Sequence, residues 1–219
     1  MKKYFDILQT CPLFTGIGEE DLAALLDCLG ARVVHYTKRE TVMAEGEAAT
    51  HIGILLFGGL QIEQVDYFGN RSILSGVEPG EVFAESFACA GAAAIPVSVV
   101  AGEDSAVMRI ECTRILHSCH NACDFHRQLL FNLMKVLATK NIRFHQKTQI
   151  TSKRTTREKL MAYLLLEAKK HNSRRFVIPF DRQELADYLE VERSGLSAEI
   201  GKLRKEGVLK SRKNQFELL

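Results

Sequence analysis

The stretch that decides the fold is DRQELADYLEVERSGLSAEIGKLRKEGVLKSRKNQFEL, running from Asp181 to Leu218. Asp181 followed three residues later by Glu184 is a capping box, so a helix begins here and runs to about Leu189. Leu185, Ala186 and Leu189 form its inner stripe, and the small Ala186 lets a crossing helix approach closely. A turn at Glu190-Val191-Glu192 leads into a second helix, Arg193 to Glu206. Leu196, Ile200 and Leu203 face inward at spacings of four and three, and Val191 plugs the corner. Gly207 stops this helix. Val208–Lys210 and Gln215–Leu218 then form a two-stranded hairpin across Arg212, Lys213 and Asn214. Helix, turn, helix and hairpin in this order predict a winged helix-turn-helix.

The outward residues of the second helix are Arg193, Ser194, Ser197, Ala198, Lys202 and Arg204. A helix that reads duplex DNA carries base-edge hydrogen bonders in its first turns, with phosphate binders around them. Arg193, Ser194 and Ser197 suit the first task; Lys202 and Arg204 suit the second. Arg182 and Gln183 open the preceding helix, whose free amide groups suit a backbone phosphate. Arg212 and Lys213 make the wing basic. A charged residue taken singly is more often a solvated helix face. The capping box, the corner residue and the basic wing together favour a double-stranded DNA reader.

Upstream, Thr155 and Glu158 form another capping box before a helix Lys159–Ala168, and a strand Phe176–Ile178 ends at Pro179. From Thr113 to Ile150 there is no Gly or Pro. Leu116, Cys119, Cys123, His126, Leu130, Leu133, Leu137, Lys140 and Phe144 alternate at three and four, a heptad-like seam. A helix of ~30 residues is about 45 Å long, more than a small β domain can cover, so the expectation is a homodimer paired through 113–150. Packing of the helix on its own domain is the alternative. Between Arg32 and Ile110, short apolar runs are punctuated by glycines: Arg32–Tyr36, Ile52–Phe57, Leu60–Val65, Ser72–Val77, Val97–Ala101 and Ala106–Ile110. That pattern predicts an all-β roll, with Gly69-Asn70 as a hairpin turn. Tyr4–Leu29 reads as short helices ended by Gly30.

The predicted fold class is α+β. An effector-sensing β-roll with N-terminal helices spans 1–112, a dimerisation helix spans 113–150, and a winged helix-turn-helix spans 151–219. Charge follows the same division. Residues from Lys153 onward hold 16 Lys and Arg against 10 Asp and Glu, whereas residues 1–152 hold 13 against 17. A sensor joined to a nucleic-acid reader would show this asymmetry.

Taken whole, the chain resembles the CRP/FNR family, relatives of the bacterial cyclic-AMP receptor protein. The segments that carry the resemblance are Gly46-Glu47 and Ala49 before Ile52–Phe57, PGEVFAES at Pro79–Ser86, and RQELADYL at Arg182–Leu189. The resemblance implies a transcriptional regulator, a cyclic-nucleotide-binding-type roll and a palindromic operator with half-sites about one helical turn apart. Contact with RNA polymerase is a further implication. In the reader, Glu190 stands where the family usually has Gly, which predicts backbone strain. Ala198 stands where many members place a DNA-contacting arginine.

In the family's cyclic-AMP binders a Gly-Glu is followed by an Arg-Ser pair on the phosphate. Here Ala84-Glu85 matches the Gly-Glu, and the Arg-Ser positions fall on Ile95 and Pro96. A buried phosphate without a cation is costly, so the effector expected of a pocket around Glu85, Ser86, Ile95, Pro96, Val97 and Ser98 is unknown, and not cyclic AMP. A small apolar or aromatic molecule, haem with His35 or His51 as ligand, and no occupant at all stay open.

Cys119, Cys123 and His126 share a helix face within the Cys/His stretch 117–126, a candidate metal or redox site. Close packing of small side chains is the plainer reading. Cys11 and Cys28 lack the close spacing of an iron–sulfur cluster. The six cysteines do not make a secreted framework, no apolar run follows the lysines of MKKYFDILQT, and no stretch is long and apolar enough to span a membrane. A cytoplasmic location is the expectation. No phosphate-cradling loop, nucleophile–base set or paired carboxylates point to an enzyme. Besides the DNA regulator, a ligand-binding module whose winged helix contacts protein stays open.

Overall fold

The computed structural model describes residues 2–65, 67, 71–116 and 124–219. The chain divides into two compact units, Met1–Thr139 and Lys140–Leu219.

The first unit opens with α1 (Phe5–Thr10) and α2 (Glu19–Cys28), flanked by 3-10 turns at Lys2–Tyr4 and Pro12–Phe14. Eight strands follow: β1 (Arg32–Tyr36), β2 (Thr41–Met43), β3 (His51–Phe57), β4 (Leu60–Val65), β5 (Arg71–Val77), β6 (Val82–Phe83), β7 (Ser98–Ala101) and β8 (Ser105–Glu111). They form two antiparallel four-stranded sheets, ordered β1-β8-β3-β6 and β2-β7-β4-β5. α3 (Glu85–Cys89) lies between β6 and β7, and α4 (Cys112–Leu116) follows β8. Central β3 is buried from Ile52 to Leu56, as befits a strand covered on both sides. Within it, the Phe83 ring fills the space that a Cβ on Gly53 would need, so only glycine lets the two strands approach.

The long helix α5 spans Asp124–Thr151. In the first unit, Leu129, Leu133 and Val136 join the core of the roll, and Leu130 and Leu137 pack against it. Asn132, buried beside them, donates from Nδ2 to the carbonyls of Leu13 (3.0 Å) and Thr15 (2.8 Å), tying α5 to the N-terminal segment.

The second unit contains the end of α5, α6 (Thr156–Lys170), β9 (Arg175–Val177), α7 (Arg182–Leu189), α8 (Arg193–Lys205), β10 (Leu209–Arg212) and β11 (Gln215–Leu218). Its antiparallel sheet runs β10-β11-β9. Ile150, Leu160, Leu164, Phe176, Leu185, Leu189, Leu196, Leu203 and Phe216 form its own core. Both expected capping boxes are formed, at Thr155 with Glu158 and at Asp181 with Glu184.

Of the stretch expected as a helix from Thr113 onward, the described residues carry α4 and α5; residues 117–123 lie outside the described residues, as does the expected Gly69-Asn70 turn. Two expectations change. Two seam positions face inward: His126 and Leu133 are each 2% exposed. The exposed large apolar side chains on α5 are the seam residue Phe144 and, outside the seam, Phe131, Met134 and Ile142. A helix with apolar residues on more than one side gives no hint, from spacing alone, of which stripe its own sheet will cover. Finally, β2, β6 and α3 have no counterpart among the expected elements, since two to five residues are too few to show a period.

Candidate nucleic-acid interface

α7 and α8 are set by their buried stripes. Leu185, Ala186 and Leu189 from α7 meet Leu196, Ile200 and Leu203 from α8, each at most 4% exposed. Between them α7 ends at Glu190, which adopts φ 54° and ψ 57°. This left-handed conformation is the one expected to strain a non-glycine residue at this turn. The turn holds because the Glu190 and Val191 amides donate back to the carbonyls of Asp187 (3.1 Å) and Ala186 (3.0 Å). Lys159 Nζ also donates to the Glu190 carbonyl at 3.2 Å.

With the inner stripe fixed, the opposite face of α8 is open. Arg193, Ser194, Ser197, Ala198, Lys202 and Arg204 are all exposed. Lys202 lies 3.7 Å from Glu199. That carboxylate also lies 3.7 Å from Arg157 of α6. Arg157 makes a two-pronged contact with Glu206 just past the end of α8, at 3.0 and 2.6 Å. Hydrogen bonding to Arg157 holds the Glu206 carboxyl below its ordinary range. Arg157 therefore braces α8 from behind, a role with no linear signature.

Arg182 and Gln183 open α7 as expected, but their side chains are engaged within the unit. Arg182 donates to the Lys213 carbonyl at 3.3 Å and sits 5.8 Å from the centroid of the Phe216 ring. Burial, then repulsion from Arg193, lowers its guanidinium from the ordinary value. It ties α7 to the wing and places a second positive charge near Arg193. Gln183 donates to Asp187 at 2.8 Å, one turn along α7. The wing is the β10–β11 hairpin, with Lys213 at φ 53° in its two-residue turn. Asn214 anchors it just past β9 by donating from Nδ2 to the Ile178 carbonyl at 3.2 Å. Arg212 and Lys213 are exposed at its tip.

The residues expected around an effector do not share one environment. Glu85 and Ile95 are each 2% exposed, Ser86 and Pro96 are exposed, and Val97 and Ser98 lie between these extremes. Ala84, expected in the place of the family's Gly, adopts φ 61°, a conformation that glycine takes without strain. Ser86 Oγ donates to Glu85 at 3.3 Å. The Ile95 amide donates to the Glu47 carbonyl and its carbonyl accepts from Gly46, both at 2.9 Å, so the residue expected at the phosphate-partner position is held in the core. Ser98 Oγ accepts from the Glu45 amide at 3.0 Å. Of the candidate metal or redox residues, Cys119 and Cys123 lie outside the described residues. His126 Nε2 contacts the Ile115 carbonyl at 2.7 Å. Cys89 and Cys112, a sulfur pair that no spacing or motif joins, lie with Sγ atoms 3.6 Å apart.

No helix among the described residues is long and apolar enough to cross a membrane. The cyclic nucleotide-binding domain family matches residues 33–120 and the Crp-like helix-turn-helix domain family matches residues 158–219. No curated protein sequence matches the chain. Among solved structures, the c-di-GMP-responsive global regulator CLP of Xanthomonas campestris is 16% identical with a TM-score of 0.60, covering 90% of this chain and 98% of its own. FixK2 of Bradyrhizobium japonicum is 20% identical with a TM-score of 0.53, covering 86% and 92%. The catabolite activator protein of Thermus thermophilus is 20% identical with a TM-score of 0.51, covering 95% and 93%. With a cyclic nucleotide-binding-type roll, a long helix and a Crp-like helix-turn-helix in this order, the chain belongs to the CRP/FNR family of transcriptional regulators.

Proposed function

We propose that the protein is a homodimeric, sequence-specific DNA-binding regulator in which α8 enters the major groove. The observation that carries this reading is the open face of α8, where Arg193, Ser194, Ser197, Lys202 and Arg204 stand exposed over a fully packed inner stripe. Arg193, Ser194 and Ser197 read base edges. Lys202, Arg204, Arg212 and Lys213 bind phosphates, and Arg182 holds the wing in place for them. Ala198 offers no hydrogen bond, so base discrimination rests on the first turn of the helix. Dimerisation uses the exposed stripe Phe131, Met134 and Ile142 of α5, because apolar side chains this open gain from burial against a second copy.

The effector that controls the dimer is not a cyclic nucleotide. Ile95, in the phosphate-partner position, is buried and apolar, and Glu85 is a buried carboxylate; a phosphate there would be desolvated without a cation. The protein acts in the cytoplasm, binds rather than catalyses, and works on transcription through its operator and RNA polymerase.

The test is a competition between a selected palindrome and random duplex, repeated across salt concentrations. The proposal expects preference for the palindrome and affinity that falls steeply with salt, as counterions are released. Arg193→Ala with Ser194→Ala should abolish the preference while leaving a folded, weakly binding protein. Equal binding to both duplexes by the wild type would overturn the proposal, and would favour a winged helix that contacts protein.

A further inference from the structure

The second unit contains a cavity of about 780 Å³ that the DNA-reading face of α8 does not use. Its volume is in the range of sites that hold small organic molecules. All its walls come from residues 143–188, within one unit. One wall is aromatic. Tyr163 of α6, Phe180 ahead of α7 and Tyr188 of α7 form a triad with ring centroids 4.9, 5.3 and 6.1 Å apart. The rim is cationic: Arg143 and Lys147 lie one turn apart on α5, and Lys169 and Lys170 end α6. Lys147 Nζ stands 5.6 Å from the centroid of the Tyr188 ring, so charge and ring face are adjacent.

One lining group is acidic. Glu167 is 7% exposed, and Lys170 and His171 each approach it to 3.5 Å. Its charge is thus partly answered from the rim; of the four lining cations, Lys170 pairs with Glu167 and Lys147 lies 3.9 Å from Glu190, so two carboxylates offset four positive charges and the site keeps a cation excess. Burial, and then Glu167, push both the Tyr163 and Tyr188 hydroxyls above their ordinary range. Both stay protonated at neutral pH and can donate to an anionic oxygen.

We propose that this cavity is a binding site for a small aromatic anion, with the ring stacked on the Tyr163–Phe180–Tyr188 triad and the carboxylate, sulfonate or phosphate held by Arg143 and Lys147. Stacking on aromatic faces requires a planar partner. The cation excess rejects planar cations, and the apolar wall rejects inorganic anions that bring no ring. The site stands on its own lining and does not depend on α8 being a DNA reader. Since Phe180 lies just ahead of α7 and Tyr188 within it, an occupant would bear directly on the first helix of the helix-turn-helix.

The experiment titrates the intact protein with anilinonaphthalene sulfonate, a fluorescent aromatic anion. The chain has 5 Tyr and no Trp, so quenching of tyrosine emission reports the approach of the dye independently of its own fluorescence. Saturable binding of one dye per chain, displaced by benzoate but not by acetate, is expected. Arg143→Gln with Lys147→Gln, at helix positions outside either hydrophobic core, should weaken dye affinity about tenfold. Tyr188→Leu should weaken it further. Unfolding of that variant would not rescue the proposal, because the two α5 substitutions test it alone. Unchanged affinity in the folded double variant, or displacement by acetate as readily as by benzoate, overturns it.

Discussion

Replacing Glu190 by glycine should make the reader more stable, although the substitution removes a side chain. Glu190 sits at φ 54°, a conformation costing an L-residue roughly 1–2 kcal/mol that glycine does not incur. Glycine returns about 0.5–1 kcal/mol of this through its greater freedom in the unfolded chain. The side chain's ion pair to Lys147, at 3.9 Å, joins two substantially exposed groups and contributes a few tenths of a kcal/mol at most. The backbone bonds of the turn and the Lys159 contact use Glu190 main-chain atoms and persist in the variant. The net expectation is a gain of about 0.5–1 kcal/mol, or roughly 2–8 °C in the melting of a unit of roughly 80 residues. Calorimetry on the full chain reads it as an upward shift in the transition of the second unit. Glu190→Ala is the control: it removes the carboxylate but keeps a Cβ at positive φ, and should not stabilise. If Glu190→Gly melts no higher than the wild type and no higher than Glu190→Ala, the argument from backbone strain is wrong.

Four other outcomes follow from the structure. Leu203→Ala empties a fully buried site between α8 and its neighbours, and urea unfolding should show a loss of about 2–5 kcal/mol. Burial and the neighbouring Cys112 push the Cys89 thiol up to about 12, leaving roughly one thiolate in ten thousand at pH 8; mass spectrometry after iodoacetamide should show Cys89 alkylated far more slowly than exposed Cys28. Arg157 depresses the Glu206 carboxyl, so their pairing favours the folded state above the ordinary carboxylate range and is lost as pH falls through the depressed value; an NMR titration should find Glu206 below that range, and back within it in Arg157→Gln. Arg212→Gln should weaken DNA binding alike for all sequences and lower the salt slope by about 0.9 for each phosphate left without its cation, close to 1.8 for a dimer.

Local chemistry explains which parts of the fold are legible in the sequence. The capping boxes at Thr155 and Asp181 are sequence signatures of a geometry that side chains impose within three residues, and both form. The long strands β1, β3, β4, β5, β7 and β8 are legible because apolar runs broken by glycine have few other solutions. The stripes of α5 are not. Its apolar residues outnumber one helix face, and whether Leu133 meets its own roll or a second copy depends on contacts far along the chain, such as Asn132 reaching Leu13.

The same distinction separates the parts of the candidate interface. Exposure on α8 follows from its own sequence, since fixing Leu196, Ile200 and Leu203 inward leaves Arg193, Ser194 and Ser197 outward on any helix of that pitch. The role of Arg182 does not follow, because the carbonyl it serves belongs to Lys213, 31 residues later. A long, flexible cation at a helix start reads equally well as a phosphate ligand or as a tether, and only the position of the wing decides between them. The aromatic cavity is the extreme case. Tyr163, Phe180 and Tyr188 lie on three segments, each with an ordinary amphipathic reason to be aromatic, and Arg143 and Lys147 look like solvated turns of a long helix. Their meeting is a product of how α5, α6 and α7 pack. A binding site assembled in that way leaves no motif, and a reader domain can carry one while its sequence announces only the helix that reads.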